Sequence, residues 1–394
     1  MYRLGSGPRK TRIVVVGDCY GERDEASGIA FSGPSGHLLT LMLTAAGINR
    51  NDCYLTNIIN SYPHKGRFDF FSSQLDNAIS FLETDIRNIQ PNIIIALGKA
   101  AFQALTDKTS LEDWRGSILS TPLGKVIGTY HPSDVLRSYD KRAIVELDLA
   151  KARVQSHSSE FKEPNYNFNI MPTYNDVMEF ANTKHSLLSF DIETLGEHTR
   201  CIGFAWSSTD AICIPLIKNC TESQWSMVGE YKILGALDAL FSNKDILKIA
   251  QNFPFDAGVL ARDFGFDIQG LKMDTLLAAH TCYSELPKSL DFLASIYTSI
   301  PFWKKHNSKD DSSEFIYNCM DCVATFEIFH ALTQELKDLN VFEFYEKHCQ
   351  PLMLAVSEVG NRGVLIDIEK REALKVQTEI ELNAIEMELT KIVG

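Results

Sequence analysis

Short apolar runs that each end at a glycine or at acidic residues recur along this chain, and helical patterns separate them. Residues 12–17 and 91–98 are rich in Val and Ile and close on a glycine, which is typical of buried parallel strands. Helical patterns follow at residues 37–46 and 71–88. Strands that alternate with helices predict an α/β domain whose helices cover both faces of a mostly parallel sheet.

The chain has 394 residues, which is too long for one ordinary domain, and the same pattern starts again after a connector. Residues 156–175 gather turn formers and lose periodicity. Strand patterns resume at residues 187–192, 201–206, 212–215 and 247–250, and the pattern is helical from residue 342 onward. The sequence therefore predicts an α/β domain over residues 1–155, a linker over 156–175, a second α/β domain over 176–345 and a helical tail over 346–394.

Composition excludes some classes of protein. Hydrophobic residues make up 45% and charged residues 23% of the chain, as in soluble globular proteins, and no apolar run reaches the roughly 20 residues that a bilayer span needs. The first residues lack a signal peptide, so we expect a cytoplasmic protein, in the host cytoplasm if the source is a virus. The formal net charge of −13 argues against a broad basic surface for duplex DNA, but it is compatible with an acidic site filled by cations.

Three polar motifs mark the second domain. Asp191 and Glu193 end an apolar run, and because side chains alternate along a strand, their carboxylates point to the same face. Asp256 follows a second apolar run. Tyr317 and Asp321 stand four residues apart, which places them on one face of a predicted helix.

Clustered carboxylates repel one another unless cations neutralise them, and hard oxygen ligands suit Mg²⁺ or Mn²⁺. We therefore expect two Mg²⁺ or Mn²⁺ ions, with Asp191, Glu193, Asp256 and Asp321 as their ligands. Two ions about 4 Å apart would activate a water and stabilise the leaving oxygen of a phosphodiester, and Tyr317 would orient the water.

The order and spacing of Asp191-x-Glu193, Asn252-x-x-x-Asp256 and Tyr317-x-x-x-Asp321 resemble the exonuclease motifs of family-A DNA polymerases and the wider ribonuclease-H-like exonucleases. The resemblance implies a proofreading 3′→5′ DNA exonuclease in which Asn252 contacts the substrate. An exonuclease that acts on RNA is the alternative. Asp274 also matches a position in that family, although an N-cap for the helix that follows is the simpler interpretation.

Four motifs in the first domain, at residues 17–25, 28–39, 54–57 and 129–137, resemble the uracil-DNA glycosylase superfamily, above all family 4 and its bacteriophage relatives. The resemblance implies a parallel-sheet α/β/α domain that acts on a uracil flipped out of DNA. It implies that His131 donates a hydrogen bond to the departing uracil, that Asn57 reads the base edge and that Phe31 stacks on the ring. Asp18 would hold the water and offset the cationic sugar.

The same resemblance implies further DNA contacts. Gly33 and Gly36 would offer backbone amides to a phosphate, and the segment that includes Ser133 and Arg137 would press into the space left by the flipped base. Tyr20 belongs to the predicted substrate-binding residues, with core packing as its alternative.

Two departures from the family pattern matter. Asp18 stands where family 4 has glutamate, so a non-catalytic glycosylase fold that tethers an exonuclease or polymerase to its template is the alternative function. Family 4 also binds an iron–sulfur cluster through four cysteines, whereas only Cys19 and Cys53 lie in the first 155 residues. We expect no cluster.

The end of the sequence, from residue 350 to residue 367 and through the helix after it, resembles the join between exonuclease and thumb in family-A polymerases. No palm motif follows, so this chain alone is not expected to join nucleotides. The expected partners are DNA, as a single-stranded 3′ end and as uracil-containing DNA, and the polymerase palm and fingers, as the rest of the chain or as a separate subunit.

Overall fold

The computed structural model describes residues 3–62, 75–161, 164–218, 222–304 and 311–393. The predicted helix at 71–88 begins outside these residues and is observed from Leu75 to Ile89. The amino-terminal domain contains the strands β1 (Ile13–Cys19), β2 (Cys53–Ile59), β3 (Ile93–Leu97), β4 (Ile118–Thr121) and β5 (Gly124–Thr129). Its helices are α1 (Glu22–Ser27), α2 (Pro34–Ala45), α3 (Leu75–Ile89), α4 (Gly98–Leu105), α5 (Leu111–Trp114), α6 (Pro132–Arg137) and α7 (Lys141–Gln155).

The amino-terminal sheet has the strand order β2-β1-β3-β5-β4, with every pair parallel except β4–β5. The central strands carry Val and Ile side chains on both faces of the sheet. Val14 packs with α3 and α4 on one face, whereas Val15 packs with α2 and α7 on the other. This two-sided burial explains the continuous apolar runs and confirms the α/β/α prediction. The chain leaves β1 for β2 on one side and then crosses to β3 on the other, so the carboxyl ends of β1 and β3 flank a crevice of the kind that binds ligands in α/β folds.

The second domain is also α/β. Its strands are β6 (Asn167–Asn169), β7 (Leu187–Leu195), β8 (His198–Ala205), β9 (Asp210–Pro215), β10 (Ile217–Lys218), β11 (Glu222–Ser223), β12 (Leu247–Ala250) and β13 (Leu271–Asp274). Its helices are α8 (Tyr174–Asn182), α9 (Met227–Ser242), α10 (Phe253–Phe264), α11 (Thr275–Cys282), α12 (Leu290–Tyr297) and α13 (Asp311–Asp338). The main sheet has the order β13-β12-β7-β8-β9-β6, and β8 runs antiparallel to both of its neighbours.

The long helix α13 lies across β7, β8 and β9. Gly203 on β8 permits this close approach: a Cβ at that position would lie 2.1 Å from Oδ1 of Asn318 and 2.8 Å from Sγ of Cys322. Any larger residue would push α13 away from the sheet. This packing positions the acidic residues of α13 against those of β7.

The linker predicted over residues 156–175 contains a short strand and the start of a helix in its second half. Residues 162 and 163 lie outside the described part, but β6 pairs in parallel with β9 at the edge of the second sheet. Thr173 then starts α8 with a capping box closed by Asp176. A three-residue strand is too short to produce a periodic pattern, which is why the sequence does not reveal it.

Buried polar groups join the two domains. The Arg115 guanidinium pairs with Asp148 at 2.6 Å and donates to the Ser295 hydroxyl at 2.6 Å. Lys151 donates to the carbonyl oxygens of Gly116 and Ser295, both at 2.7 Å. Because Ser295 belongs to α12 and the other four residues to the amino-terminal domain, this cluster, which we call the domain junction, links the two α/β units.

The carboxyl-terminal part is helical, as predicted, with α14 (Phe342–Phe344), a π-helical turn (Tyr345–Cys349), α15 (Gln350–Arg362) and α16 (Ile368–Val393). Tyr345 anchors it to the second domain, since its hydroxyl accepts a hydrogen bond from the Asp274 amide at 3.0 Å. Every described residue of α16 is exposed. None of the helices in the described ranges is long and apolar enough to cross a membrane.

Candidate active sites

Four predicted residues of the amino-terminal domain meet at the carboxyl edge of its sheet, and two glycines make room for them. A Cβ on Gly17 would lie 2.5 Å from Oδ1 of Asn57 and 2.6 Å from the Phe31 ring. Gly98, at φ +89°, lies between His131 and Asp18, since a Cβ there would be 3.0 Å from His131 and 3.5 Å from each Asp18 oxygen. The strand ends thus bring Asp18, Phe31, Asn57 and His131 together, and we call this group the first site.

Asn57 is buried, and its side chain leaves an acceptor free. Its Nδ2 donates to Asn60 at 3.4 Å, but its Oδ1 has no hydrogen-bond partner among the described residues. A buried polar atom without a partner costs about 1–3 kcal/mol. Such an acceptor fits a ligand that brings its own N–H group.

The geometry around His131 indicates which ring nitrogen carries the proton. The backbone amide of Ser133 donates to Nδ1 at 3.2 Å, so Nδ1 is an acceptor and the proton lies on Nε2. Burial lowers the pKa of His131 to about 4. The ring is therefore neutral at pH 7 and still has one N–H group to donate.

Asp18 is the acid of the first site. Its Oδ1 accepts a hydrogen bond from the Ala101 amide at 3.2 Å, near the start of α4. Burial raises the pKa of Asp18 to about 6, against the opposing effect of this hydrogen bond, and the nearby Asp134 adds to the rise. Asp18 is thus mostly ionised at pH 7 and mostly protonated at pH 5.

The backbone around Phe31 holds its ring rigidly. Phe31 has φ +57°, and Arg50 donates to its carbonyl oxygen at 2.9 Å. A Cβ on Gly36 would lie 1.8 Å from that same oxygen, so only glycine fits there. The Phe31 ring lies 6.3 Å from the His131 ring, centroid to centroid. Arg50 was not predicted from the sequence, because its partners, three backbone oxygens and the Thr40 hydroxyl, are distant along the chain.

The other predicted contacts of this domain vary in position. Tyr20 is 1% exposed and its hydroxyl donates to the Gly28 carbonyl at 3.3 Å, so it is packed in the core. The Gly33 amide donates to Asp24 at 3.3 Å. The Ser133 hydroxyl lies 2.7 Å from Nδ1 of His131, and Arg137 projects into solvent beside its ion-pair partner Asp134.

In the second domain, carboxylate oxygens of Asp191, Glu193 and Asp321 lie within 4.8 Å of one another, and we call this group the second site. Asp191 and Glu193 lie on β7 and Asp321 lies on α13. Asp256, on α10, is not a member of this group of three; its Oδ1 accepts a hydrogen bond from the Ile192 amide at 3.1 Å. Its charge still acts on Asp191, so it lies beside the group.

Burial and mutual repulsion act together on these acids. Burial, then the charges of Asp256, Asp321 and Glu193, raise the pKa of Asp191 well above its usual value. Burial, then Asp321, raise the pKa of Glu193 to about 8, and burial raises that of Asp256 to about 8. Such a cluster is costly when all its members are ionised, and a divalent cation would remove that cost.

The donor set fits a hard divalent cation. It consists of carboxylate oxygens only, and three of them converge at the spacing of ligands around one ion. Asp191 is held in place for such a role, because Asn318 donates to its Oδ2 at 2.9 Å. Asn318 was not predicted from the sequence, although it precedes Asp321 on the same helix face.

Two more neighbours of the second site were not predicted. The Trp303 indole donates to Oδ1 of Asp321 at 2.6 Å, and Lys304 lies 3.3 Å from Oδ2 of the same acid and 2.8 Å from the Tyr317 hydroxyl. A lysine beside an aromatic residue, between the second and third acidic motifs, is the only sequence signal for them.

The residues near the start of α10 have structural partners. Asn252 has φ +62°, and its amide donates to Asp274 at 3.3 Å. Asp274 also caps α11 by accepting from the Leu277 amide at 3.1 Å, which confirms the N-cap interpretation. Two aromatic side chains of this domain differ in their exposure to a ligand. Phe255, next to Asp256 on α10, is 52% exposed, whereas the Tyr283 hydroxyl donates a hydrogen bond to Glu335.

Comparison with protein families gives two matches. Residues 4–153 match the uracil DNA glycosylase superfamily, and residues 173–337 match a 3′–5′ exonuclease family. The chain is 38% identical over 155 residues to a type-4 uracil-DNA glycosylase of Thermotoga maritima, which covers 38% of this chain and 80% of that protein. It is 31% identical over 159 residues to the type-4 enzyme of Archaeoglobus fulgidus, which covers 38% of this chain and 79% of that protein.

A third relative spans both domains. The DNA polymerase of Bacillus phage SP01 is 21% identical over 432 aligned positions, which cover 97% of this chain and 46% of the phage protein. The chain thus spans about half the length of that relative. Among solved structures, NrnC of Brucella melitensis covers 52% of this chain and 96% of its own, with a TM-score of 0.39 and 19% identity.

Proposed function

Because the chain belongs to the uracil-DNA glycosylase superfamily through residues 4–153 and carries a 3′–5′ exonuclease domain at residues 173–337, we propose that it is a bifunctional DNA enzyme. Its second domain removes nucleotides from DNA 3′ ends, and its first domain recognises and excises uracil. The observation that supports the exonuclease activity is the convergence of Asp191, Glu193 and Asp321. The observation that supports uracil excision is the free acceptor of Asn57 together with a neutral His131.

In the exonuclease, Asp191, Glu193, Asp256 and Asp321 would hold two Mg²⁺ or Mn²⁺ ions. Bound there, such ions supply Lewis acidity to a water and to the scissile phosphate. The Asn318 side chain keeps Asp191 turned towards the cluster, and the Tyr317 hydroxyl orients the attacking water. The exposed Phe255 offers a face on which a terminal base can stack, and Asn252 lies at the same edge.

In the glycosylase, the neutral His131 donates from Nε2 to the uracil oxygen on which negative charge develops. Asn57 reads the base edge, because its free Oδ1 accepts from the uracil N–H and its Nδ2 can donate to a carbonyl. Phe31 stacks on the flipped ring. The ionised Asp18 offsets the cationic sugar and holds the water that adds to it.

Contacts with the DNA backbone flank this site. Gly33 and Gly36, at the start of α2, would bring the backbone close to a phosphate, for which the Gly33 amide would have to leave Asp24. Ser133 positions His131 and would face the DNA strand that carries the flipped base. Leu136 is 54% exposed next to Arg137, so this turn carries an apolar wedge and a cation that would enter the space left by the flipped base.

The relation to a polymerase is part of the proposal. The match to a phage DNA polymerase covers nearly the whole chain, so uracil removal and 3′ trimming would serve DNA replication. The helices α15 and α16 would lead to the thumb, and a palm and fingers would supply nucleotide joining from the rest of the chain or from a separate subunit. The proposed domain limits are residues 1–155, 176–345 and 346–394.

Matched oligonucleotides test the substrate class. The wild-type chain with Mg²⁺ should shorten 5′-labelled DNA from its 3′ end and leave the RNA of the same sequence intact over the same time. It should also release labelled uracil from single-stranded and duplex DNA. Shortening of RNA alone would identify an RNA exonuclease, and failure to release uracil from either DNA would leave the first domain as a binding module.

A further inference from the structure

Trp303 and Lys304, which are adjacent in the chain, contact two side chains of α13, Asp321 and Tyr317. Trp303 holds Oδ1 of Asp321, and Lys304 approaches Oδ2 of Asp321 at 3.3 Å and the Tyr317 hydroxyl at 2.8 Å. The Trp303 side chain is buried, and that of Lys304 is 27% exposed. Both contacts of Lys304 are therefore held within the site and are not those of a solvated surface lysine.

The direction of the hydrogen bond to Tyr317 is fixed by chemistry. An ammonium group has only donors, so the phenolic oxygen must be the acceptor. The phenolic hydrogen then points away from Lys304, and the Asp321 carboxylate is an acceptor for it. Without Lys304, the same oxygen could turn its hydrogen to other acceptors.

The charge of Lys304 also acts on the cluster. Its presence lowers the pKa of Asp191, Glu193 and Asp321, against the larger effect of burial. Because a lysine and a divalent cation repel each other, the same charge that offsets the acids must weaken cation binding. Lys304 thus links the geometry of Tyr317 to the electrostatics of the carboxylates.

We propose that Lys304 is a positioning residue of the exonuclease, which orients the Tyr317 phenol and offsets part of the negative charge of Asp191, Glu193 and Asp321. The inference rests on the proposed exonuclease activity. Lys304 acts through Tyr317, so its loss lowers kcat while leaving KM for the DNA end nearly unchanged. Its loss also strengthens cation binding, which a structural role alone would not produce.

A double-mutant cycle on the full chain tests the positioning role. Lys304→Met should lower kcat about tenfold to a hundredfold, the range expected when a reacting group is misplaced. In a Tyr317→Phe background the same change should cause no further loss, because the group that it orients is already gone. Lys232→Met, at an exposed lysine on α9, is the matched control and should retain the wild-type kcat.

Direct Mn²⁺ titration, followed by electron paramagnetic resonance, tests the electrostatic role without reference to activity. Lys304→Met should bind Mn²⁺ about tenfold more tightly than the wild type, since it removes a positive charge close to the ligands. Lys304→Gln keeps an N–H group for Tyr317 and loses the charge. It should therefore bind Mn²⁺ tightly but lose less of its kcat than Lys304→Met.

Three outcomes would overturn the inference: independent effects of Lys304→Met and Tyr317→Phe on kcat, an unchanged kcat in Lys304→Met, or an unchanged Mn²⁺ affinity. A wild-type chain that binds Mn²⁺ but does not shorten DNA would instead overturn the proposed exonuclease activity. The Mn²⁺ titration would then still decide the electrostatic role. Thermal unfolding of each variant identifies any that fails to fold, and if Lys304→Met fails, Lys304→Gln, which also removes the charge, takes its place in the Mn²⁺ titration.

Discussion

The two sites of this chain differ in how their polar groups are satisfied. In the first site, Asp18 and His131 each accept a hydrogen bond from a backbone amide, and His131 is neutral. In the second site, three carboxylates face one another, with Asp321 buried and the other two half-buried, and desolvation and repulsion raise the pKa values of Asp191 and Glu193. The first site is ready to accept a neutral ligand, whereas the second needs cations before all its acids can ionise.

This difference indicates that the two proposed hydrolytic activities have separate requirements. A site that stabilises a departing base with N–H donors needs no metal. A site built only from carboxylates depends on the ions that it collects. The two activities should therefore respond independently to chelators and to mutation, and each prediction below tests one side of this contrast.

The largest expected effect comes from the second site. Asp191→Asn with Glu193→Gln keeps the shape of the site but removes two ligand charges, so 3′ trimming should fall by about a thousandfold or more. Uracil release by the same preparation should stay within about twofold of the wild type. Both rates are measured on one batch of protein, and a parallel loss of both would contradict the independence of the two sites.

The next largest effect concerns His131. His131→Ala removes the N–H donor aimed at the departing uracil, and uracil release should fall by about a hundredfold to a thousandfold. His157→Ala, at an exposed histidine that follows the first domain directly, is the control and should be unaffected. Measured 3′ trimming should not change in either variant, and a variant His131→Ala that releases uracil normally would remove this residue from the mechanism.

The domain junction shows how far the two halves depend on each other. Ser295→Ala leaves one donor of the buried Arg115 without its partner, so the free energy of unfolding should fall by about 1–3 kcal/mol. Ser242→Ala, at an exposed position on α9, should change it by less than about 0.5 kcal/mol. Denaturant unfolding measures both, and equal values for the two variants would mean that the junction adds no stability.

The smallest effect is a pH dependence confined to the first site. Uracil release needs ionised Asp18, whose pKa burial raises to about 6, so the rate should rise with pH through this value. At pH 5 the rate should be about tenfold below its plateau, because only about a tenth of Asp18 is ionised there. A rate profile from pH 5 to pH 8 measures this, and Asp18→Asn should abolish the rise. A flat wild-type profile would show that the ionisation of Asp18 does not control the rate of uracil release.

Much of the fold could be predicted from the sequence, because both sheets are built on long apolar or alternating runs. Strands β1 and β3 lie where β-branched runs end at a glycine, and β12 lies in a short, mostly apolar run that ends at a polar motif. The acids of the second site could be predicted as a group. Asp191 and Glu193 share a strand face, and Asp321 lies on a helix four residues after Tyr317.

The residues that were missed act through distant contacts. Arg115 and Ser295 are 180 positions apart, and no local pattern indicates that they meet. Lys304 also carries no periodic signal, because its role depends on how α13 packs on β7. Strand β6 escaped prediction for a different reason, since three residues are too few to establish a period.

The most direct test of the central claim uses 5′-labelled DNA that carries one internal uracil. The wild-type chain is incubated with it in EDTA and then in alkali, and in parallel with Mg²⁺ and no alkali. The predicted result is a single alkali-dependent break at the uracil in EDTA, and a ladder shortened from the 3′ end only with Mg²⁺. A ladder that persists in EDTA, or a break at the uracil that requires Mg²⁺, would contradict two sites with separate requirements.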